Sequence, residues 1–256
     1  MKTVVFGLAF IVAFLGCSKP AVENPEIIDS GEEAELVMEA FDGPEISPGV
    51  ILAQASLWEL RDDGNVYWKK TLNAGDTLQY RGEERRMTRM PAKVEHDFIL
   101  VNSDDTDLWV IKGLVAGDAV PGVILQNDTV LYSKAALDSP LTTRNNVLPQ
   151  YTIVGVHHNS SEKNFTCVSG YLPENWVVVD KRFVKQEAVS TVEGNVQSVK
   201  LYKLALATEN PVVKKELLTN ALEVSGAMGD AINWDLINEE LRKLDAPQET
   251  QEAEEE

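Results

Sequence analysis

A repeated set of short sequence blocks constrains the fold of this chain more than any other feature. Pro48-Gly49-Val50-Ile51-Leu52 recurs as Pro121-Gly122-Val123-Ile124-Leu125. Further on, residues 97–102 resemble residues 164–169, and residues 108–111 resemble residues 175–178, in the same order. The separation falls from 73 residues for the first block to 67 for the others, which a difference in loop length would explain. We therefore predict that residues 46–119 and 120–189 are two copies of one module.

Each copy has the sequence pattern of a small all-β unit. Short apolar or alternating runs are broken by turn signals, and no long helical period interrupts them. In the first copy, residues 57–61 lead into Asp62-Asp63-Gly64-Asn65 and residues 66–70, which predicts a hairpin. Strands in so small a module must close or pack on one another to bury a core and cover their edges. The predicted fold is mainly β with some α, in which two tandem small β-barrels precede a short helical module.

The helical module is predicted over residues 190–245. Asn210-Pro211 has the pattern of an N-cap followed by a first-turn proline. Two amphipathic stripes follow, one made of Val213, Leu217, Ala221 and Val224 and the other of Trp234, Ile237, Leu241 and Leu244. Residues 196–207 are apolar enough for a third helix, and residues 246–256 form an acidic tail. These helices would either pack on the barrels or dock a partner protein.

The first 16 residues have the pattern of an export signal. Lys2 is followed by an apolar run over residues 4–15, which is too short to span a bilayer, and the run ends in Leu15-Gly16-Cys17-Ser18. This junction resembles the lipobox of bacterial lipoproteins, although an ordinary secretory signal is the alternative. The resemblance implies acylation of Cys17, anchorage in the lipid bilayer of the cell envelope, and an acidic tether over residues 17–45. Ser18 favours the outer membrane in a diderm, whereas a monoderm would carry the protein on the outer face of its cell membrane.

Charge and cysteine content exclude several kinds of function. Without the leader, 22 basic residues face 41 acidic ones, a net charge of −19 that argues against nucleic acid as a partner. Acylation of Cys17 would leave Cys167 alone, so no disulfide framework is expected. The sequence contains no glycine-rich phosphate loop and no Gly-x-Ser-x-Gly or His-Glu-x-x-His motif. We therefore predict that the protein is not an enzyme and that it has no cofactor or metal site.

The two copies resemble the bacterial SH3-like (SH3b) domains. In the first copy the resemblance lies in residues 73–78, in Trp109-Val110 and in Leu114-Val115; in the second it lies in Trp176-Val177 and Phe183-Val184. The second copy departs from the pattern at residues 147–154. The resemblance implies binding of peptidoglycan stem peptides or protein segments.

Aromatic side chains are the candidate ligand-binding residues, because aromatic-lined grooves bind ligands in related barrels. The candidates in the first copy are Trp58, Tyr67, Trp68 and Tyr80, and those in the second are Tyr132, Tyr151 and Tyr171. Core packing is the alternative role for each ring.

Three other residue types have both a functional and a structural interpretation. Cys167 could be a nucleophile, but it aligns with Leu100 and is better interpreted as a small buried residue. His157 and His158 could belong to a metal site, but they lie in a polar stretch that predicts a solvated loop, and adjacent residues could not easily share a metal. Trp109 and Trp176 are expected to be structural.

The sequence thus leads to two functional hypotheses. The first is a membrane-anchored envelope adaptor that binds peptidoglycan or its peptides through tandem SH3-like domains. The second is a scaffold that docks an envelope protein complex through its barrels or C-terminal helices.

Overall fold

The computed structural model describes residues 46–143, 145–158, 164–174, 176–225 and 232–246. Every described residue lies in one compact unit, Asp42–Glu256. Two largely antiparallel sheets are followed by three helices, so the predicted fold class is confirmed. The predicted leader, Cys17, the tether and residues 247–256 of the tail lie outside the described residues.

The first sheet is a seven-stranded barrel. Its strands are β1 (Ser47–Ile51), β2 (Ala55–Leu60), β3 (Val66–Leu72), β4 (Thr77–Arg89), β5 (Val94–Ser103), β6 (Thr106–Ile111) and β7 (Val115–Gly117). Their order is β3-β2-β6-β5-β4-β1-β7, and a parallel contact between Val66 and Arg89 joins β3 to β4 and closes the ring. The hairpin predicted around Gly64 is β2–β3. The core of the barrel includes Leu57, Val101 and Val110.

The second sheet is a half-barrel of five strands. They are β8 (Ala119–Ile124), β11 (Ile153–His157), β12 (Phe165–Leu172), β13 (Val177–Lys185) and β14 (Val189–Ser190), in the order β13-β12-β11-β8-β14. A short 3-10 helix, Gln186–Ala188, precedes β14. The separate pair β9 (Thr129–Val130) and β10 (Val147–Leu148) covers one side of the core, where Leu131 and Leu148 are fully buried.

The two sheets share one strand order, as expected for a duplicated unit. The run β6-β5-β4-β1-β7 corresponds to β13-β12-β11-β8-β14. The repeated Pro-Gly pair has a packing reason in both copies. A Cβ on Gly49 would lie 2.7 Å from Leu78, and one on Gly122 would lie 2.5 Å from Val156. Glycine therefore lets a neighbouring side chain pack directly on the strand backbone.

The strand register shows that the third pair of repeat blocks, residues 108–111 and 175–178, does not occupy equivalent positions in the two copies. Leu100 pairs with Trp109 in the first copy, and its equivalent Cys167 pairs with Phe183 in the second. Phe183-Val184 is thus the counterpart of Trp109-Val110, and the alignment of Trp176 with Trp109 was wrong. These paired residues are nine positions apart in the first copy and sixteen in the second. The β12–β13 hairpin is therefore seven residues longer than the β5–β6 hairpin.

The three helices are α1 (Glu193–Leu206), α2 (Pro211–Glu223) and α3 (Trp234–Asp245). The predicted N-cap of α2 is confirmed, because the Asn210 side chain accepts hydrogen bonds from the Val212 and Val213 backbone N–H groups. The predicted stripe of α2 was only partly correct. Val213 and Val224 are 42% exposed, whereas Leu218 is fully buried and packs with Ile237 of α3. No helix among the described residues is long and apolar enough to cross a membrane.

The two barrels meet at a small apolar seam. Val50 and Leu52 of the first barrel pack with Ala116, Ala119 and the partly buried Tyr171. Gly155 of β11 lies against this seam, and a Cβ there would lie 2.5 Å from the Ala116 Cβ. The seam therefore needs small residues on both sides.

Substitution Gly155→Ala should destabilise the protein by about 1–3 kcal/mol, because the added methyl group overpacks the seam. Urea unfolding monitored by circular dichroism would measure the change. Gly170→Ala is the matched control within the second sheet, since its Cβ would approach only side-chain atoms, at 3.3 Å and beyond. Equal stability of the two variants would contradict the tight seam.

Candidate functional site

Two cavities flank the seam between the barrels, and Leu52 lines both of them. The first cavity has a volume of about 480 Å³ and lies where the two barrels meet α1. Its lining is mostly apolar. The lining residues are Leu52, Ala53, Gln54, Ala74, Asn145, Val147, Pro149, Gln150, Thr152, Ile153, Tyr171, Leu172, Pro173, Glu174 and Lys203.

Lys203 is the only cationic residue among the described residues that line the first cavity. It lies in the last turn of α1, and its ammonium group has no ion pair or hydrogen bond to a described residue. Lys200, one turn earlier, is instead paired with Asp76 at 2.8 Å. Lys203 is exposed at the cavity, and desolvation by nearby protein atoms lowers the pKa of its ammonium group.

The second cavity has a volume of about 590 Å³ and is more polar. An ion pair between Glu84 and Lys112 at 2.6 Å lies on the first-barrel side. Asp180 and Lys181 of β13 line the opposite side together with His157. Charges of both signs therefore line this cavity.

His157 lies buried at the wall of the second cavity. Its Nδ1 lies 3.2 Å from the Asp118 backbone oxygen, and its Nε2 lies 2.9 Å from the Ser169 hydroxyl. A carbonyl oxygen only accepts, so Nδ1 carries a proton. The single hydrogen of the Ser169 hydroxyl lies within reach of both His157 Nε2 and the Asp180 carboxylate, the latter at 3.4 Å. Desolvation, followed by the charge of Lys181, lowers the pKa of His157. The ring thus links the Asp118 connection between the barrels to β12.

The longer β12–β13 hairpin supplies walls to both cavities. Leu172, Pro173 and Glu174 line the first cavity, and Val178 lines the second. The hairpin reaches the first barrel, where a Cβ on Gly113 would lie 2.8 Å from the Val178 side chain. Trp176, near the tip, is 84% exposed, so the expectation that it is structural was wrong.

The predicted aromatic residues of the first copy are spread over several environments. Trp58 is buried with Phe98 and Trp109, and its indole Nε1 has no hydrogen-bond partner among the described residues. The Tyr67 hydroxyl donates to Asp63 at 2.8 Å. Trp68 is 60% exposed on β3, whereas Tyr80 lines the second cavity. These four rings do not lie along one cavity.

The aromatic residues of the second copy are also dispersed. Tyr132 is buried edge-to-face on Phe165, with ring centroids 5.1 Å apart. Tyr151 takes the left-handed conformation at φ 61°, the place that Gly75 holds in the first copy, and donates from its hydroxyl to the Ile232 backbone oxygen. Only Tyr171 of the three lines the first cavity.

The remaining candidates from the sequence are a cysteine and two adjacent histidines. Cys167 is buried on β12, as its alignment with Leu100 predicted. His158 is exposed, but His157 is buried at the end of β11, so the interpretation as a solvated loop was wrong for His157. Among the described residues, no group of three or more His, Cys, Asp or Glu side chains is arranged to hold a metal ion.

Sequence reasoning missed Lys203 and the cavity it lines. The cavity walls come from segments of both barrels and from α1. The only local signal was a lysine in the otherwise apolar helical run of residues 201–206, and such a lysine is usually solvated.

Comparison with known proteins gives distant structural matches. No family model matches the chain, and no curated protein does either. NlpC2 from Trichomonas vaginalis aligns over 64% of this chain with 12% identity and a TM-score of 0.22. NlpC1 from the same organism aligns over 69% with 13% identity and a TM-score of 0.22. An NlpC/P60 endopeptidase from Photobacterium damselae subsp. piscicida aligns over 60% with 11% identity and a TM-score of 0.23. The matches span only 56%, 58% and 36% of those three chains.

Stability should fall in mild acid because of His157. Its pKa is lowered in the folded protein, so its contribution is full above the ordinary value of about 6.5 and is lost as the pH falls through the folded pKa. His157→Gln should weaken the dependence of the urea midpoint on pH between about 7.5 and 5. His158→Gln is the control, since His158 is exposed. A pH dependence identical in all three proteins would refute this role.

Proposed function

We propose that this protein is a lipid-anchored binding protein of the bacterial cell envelope, and that the first cavity binds peptide segments of the peptidoglycan. One observation carries the proposal. The cavity lies at the junction of both copies and α1, where its apolar walls include a few polar groups. Ligand sites in proteins commonly have this character, and they often lie between domains.

The dimensions of the cavity suit a short peptide. A volume of about 480 Å³ lies within the range of small-ligand sites. The walls combine residues of β10, β11, β12 and α1 with the segments that connect strands of both copies. Tyr171 offers a flat ring to an aliphatic or amide group of the ligand.

Location and charge support a peptide of the wall over other ligands. The lipobox-like junction at Cys17 implies a surface position beside the wall, and the acidic tether would give the barrels reach. The net charge of −18 disfavours nucleic acid and other polyanions. Wall peptides carry both amines and carboxylates, and Glu174 and Lys203 place one acid and one base on the cavity lining.

The proposed role is binding without catalysis. Cys167, the residue weighed as a nucleophile, is buried on β12 and faces Phe183 across the sheet. A nucleophilic thiol needs access to its substrate and an activating environment. Binding alone is therefore assigned to the cavity.

A second candidate function is docking of an envelope protein. The exposed apolar residues favour it, because Trp176 on the long hairpin is 84% exposed and Val212 at the start of α2 is 74% exposed. Exposed aromatic residues on a rigid support are common at protein interfaces.

Gln54→Trp should abolish binding to purified peptidoglycan sacculi, because Gln54 is exposed at the cavity lining and an indole would fill the space. Co-sedimentation of the full chain in mild non-ionic detergent would measure it. Gln126→Trp is the matched control, an exposed glutamine in the loop after β8 and outside the cavity lining.

The Trp68→Ala variant tests whether the wall binds to the cavity or to the exposed aromatic surface of the first barrel. It should leave pelleting unchanged if the cavity binds the wall. Pelleting that survives Gln54→Trp but is lost in Trp68→Ala would instead move the site to β3. The absence of pelleting by the unaltered chain would favour docking of a protein.

A further inference from the structure

We propose that Lys203 is the anion anchor of the first cavity and that this cavity selects peptides bearing a free carboxylate. This inference rests on the proposed function and specifies the chemistry of its ligand. The ammonium group of Lys203 faces an apolar-walled cavity without a described partner, and a carboxylate oxygen is the ligand group that would pair with it.

Comparison with Lys200 indicates that Lys203 forms no structural ion pair within the described part of the chain. Both residues belong to α1, and Lys200 uses its charge to hold Asp76 of the first barrel at 2.8 Å. Lys203 makes no such contact with a described residue and is exposed at the cavity, so its charge is available to a ligand. A carboxylate that entered the cavity would displace water from around this ammonium group, and their attraction would be stronger there than in open solvent.

Three other polar side chains of the lining, those of Gln150, Thr152 and Glu174, are less suited to bind an anion. The Gln150 amide donates to the Leu125 backbone oxygen at 2.7 Å, and the Thr152 hydroxyl donates to the Pro149 backbone oxygen at 2.7 Å. Glu174 would repel a carboxylate and would instead attract an amine. The lining therefore offers one cationic position, at Lys203, beside aliphatic walls.

These features define the class of ligand. The carboxylate would lie at the α1 side of the cavity, and the small apolar side chains of the peptide would contact Leu52, Ala74 and Ile153. The limited volume favours the end of a peptide over a continuous strand passing through. A neutral or amidated peptide end would cover the Lys203 ammonium group without pairing with its charge. Such a peptide should therefore bind more weakly than one with a free carboxylate.

The test compares two preparations of one ligand. Stem peptides are released from sacculi with an amidase, and half of them are converted to carboxamides with carbodiimide and ammonia. Isothermal titration calorimetry on the full chain in detergent should show saturable binding of the untreated peptides. Amidation should weaken binding about tenfold or more, the usual size of a lost charge-assisted hydrogen bond.

Variants at Lys203 make the test specific. Lys203→Met should lose affinity for the untreated peptides by a similar factor and should no longer distinguish them from the amidated ones. Lys203→Arg should keep the preference, because it retains the charge. Lys134→Met is the control, since it removes one charge from an exposed loop outside the cavity lining. The urea midpoint of Lys203→Met should equal or exceed that of the unaltered chain, because no described contact is lost.

Several outcomes would overturn the anchor. It fails if the unaltered chain binds both preparations equally, if Lys203→Met still prefers the acid, or if neither preparation binds while the chain still pellets with sacculi. In these cases pelleting that is sensitive to Gln54→Trp leaves the proposed function standing. Absence of both pelleting and peptide binding rejects the two proposals together.

Discussion

The close approach of the two barrels at Gly155 is the contact on which the rest of the structure depends. Because Gly155 has no side chain, Ala116 of β7 and Ala119 at the start of β8 can pack directly on β11. Leu52 and Tyr171 extend this seam to both sides. Leu52 of this seam lines both cavities. A larger residue at the seam would alter both cavities at once.

The differences between the two copies create the candidate site, while the repeated parts hold it in place. The shared strand order supplies two rigid supports. The β12–β13 hairpin, seven residues longer than its counterpart, closes the gap between the barrels and carries Trp176 to the surface. At the strand start where the first copy has Gly75, the second has Tyr151, whose hydroxyl binds the Ile232 backbone next to α3. Changes in the second copy therefore supply part of the cavity wall and one contact with the segment before α3.

Sequence patterns predicted the repeated framework and failed where the copies diverge. The Pro-Gly blocks correspond to β1 and β8, and the paired Phe98 and Phe165 lie on β5 and β12. These residues repeat because burial and close packing restrict which side chains fit there. The Trp176 block was misaligned because a similar dipeptide occurs within the hairpin extension, and only the strand register exposes that shift. Aromatic residues could not be sorted into core and groove, since Trp58 and Trp68 face each other across one hairpin and yet differ in exposure. The lysine in the apolar run of residues 201–206 could not by itself indicate a site, because the cavity it lines is assembled from distant segments.

The central claim is that the cavity between the barrels binds wall peptides, and mapping the bound ligand tests it most directly. Two-dimensional NMR spectra of the isotopically labelled full chain in detergent micelles would be recorded as stem peptides released from sacculi are added. We expect saturable shifts at Leu52, Ala74, Tyr171 and Lys203, with little change at Tyr67 and Trp68. Shifts confined to β2 and β3, or to the exposed face of α2, would contradict the account and place binding elsewhere on the protein.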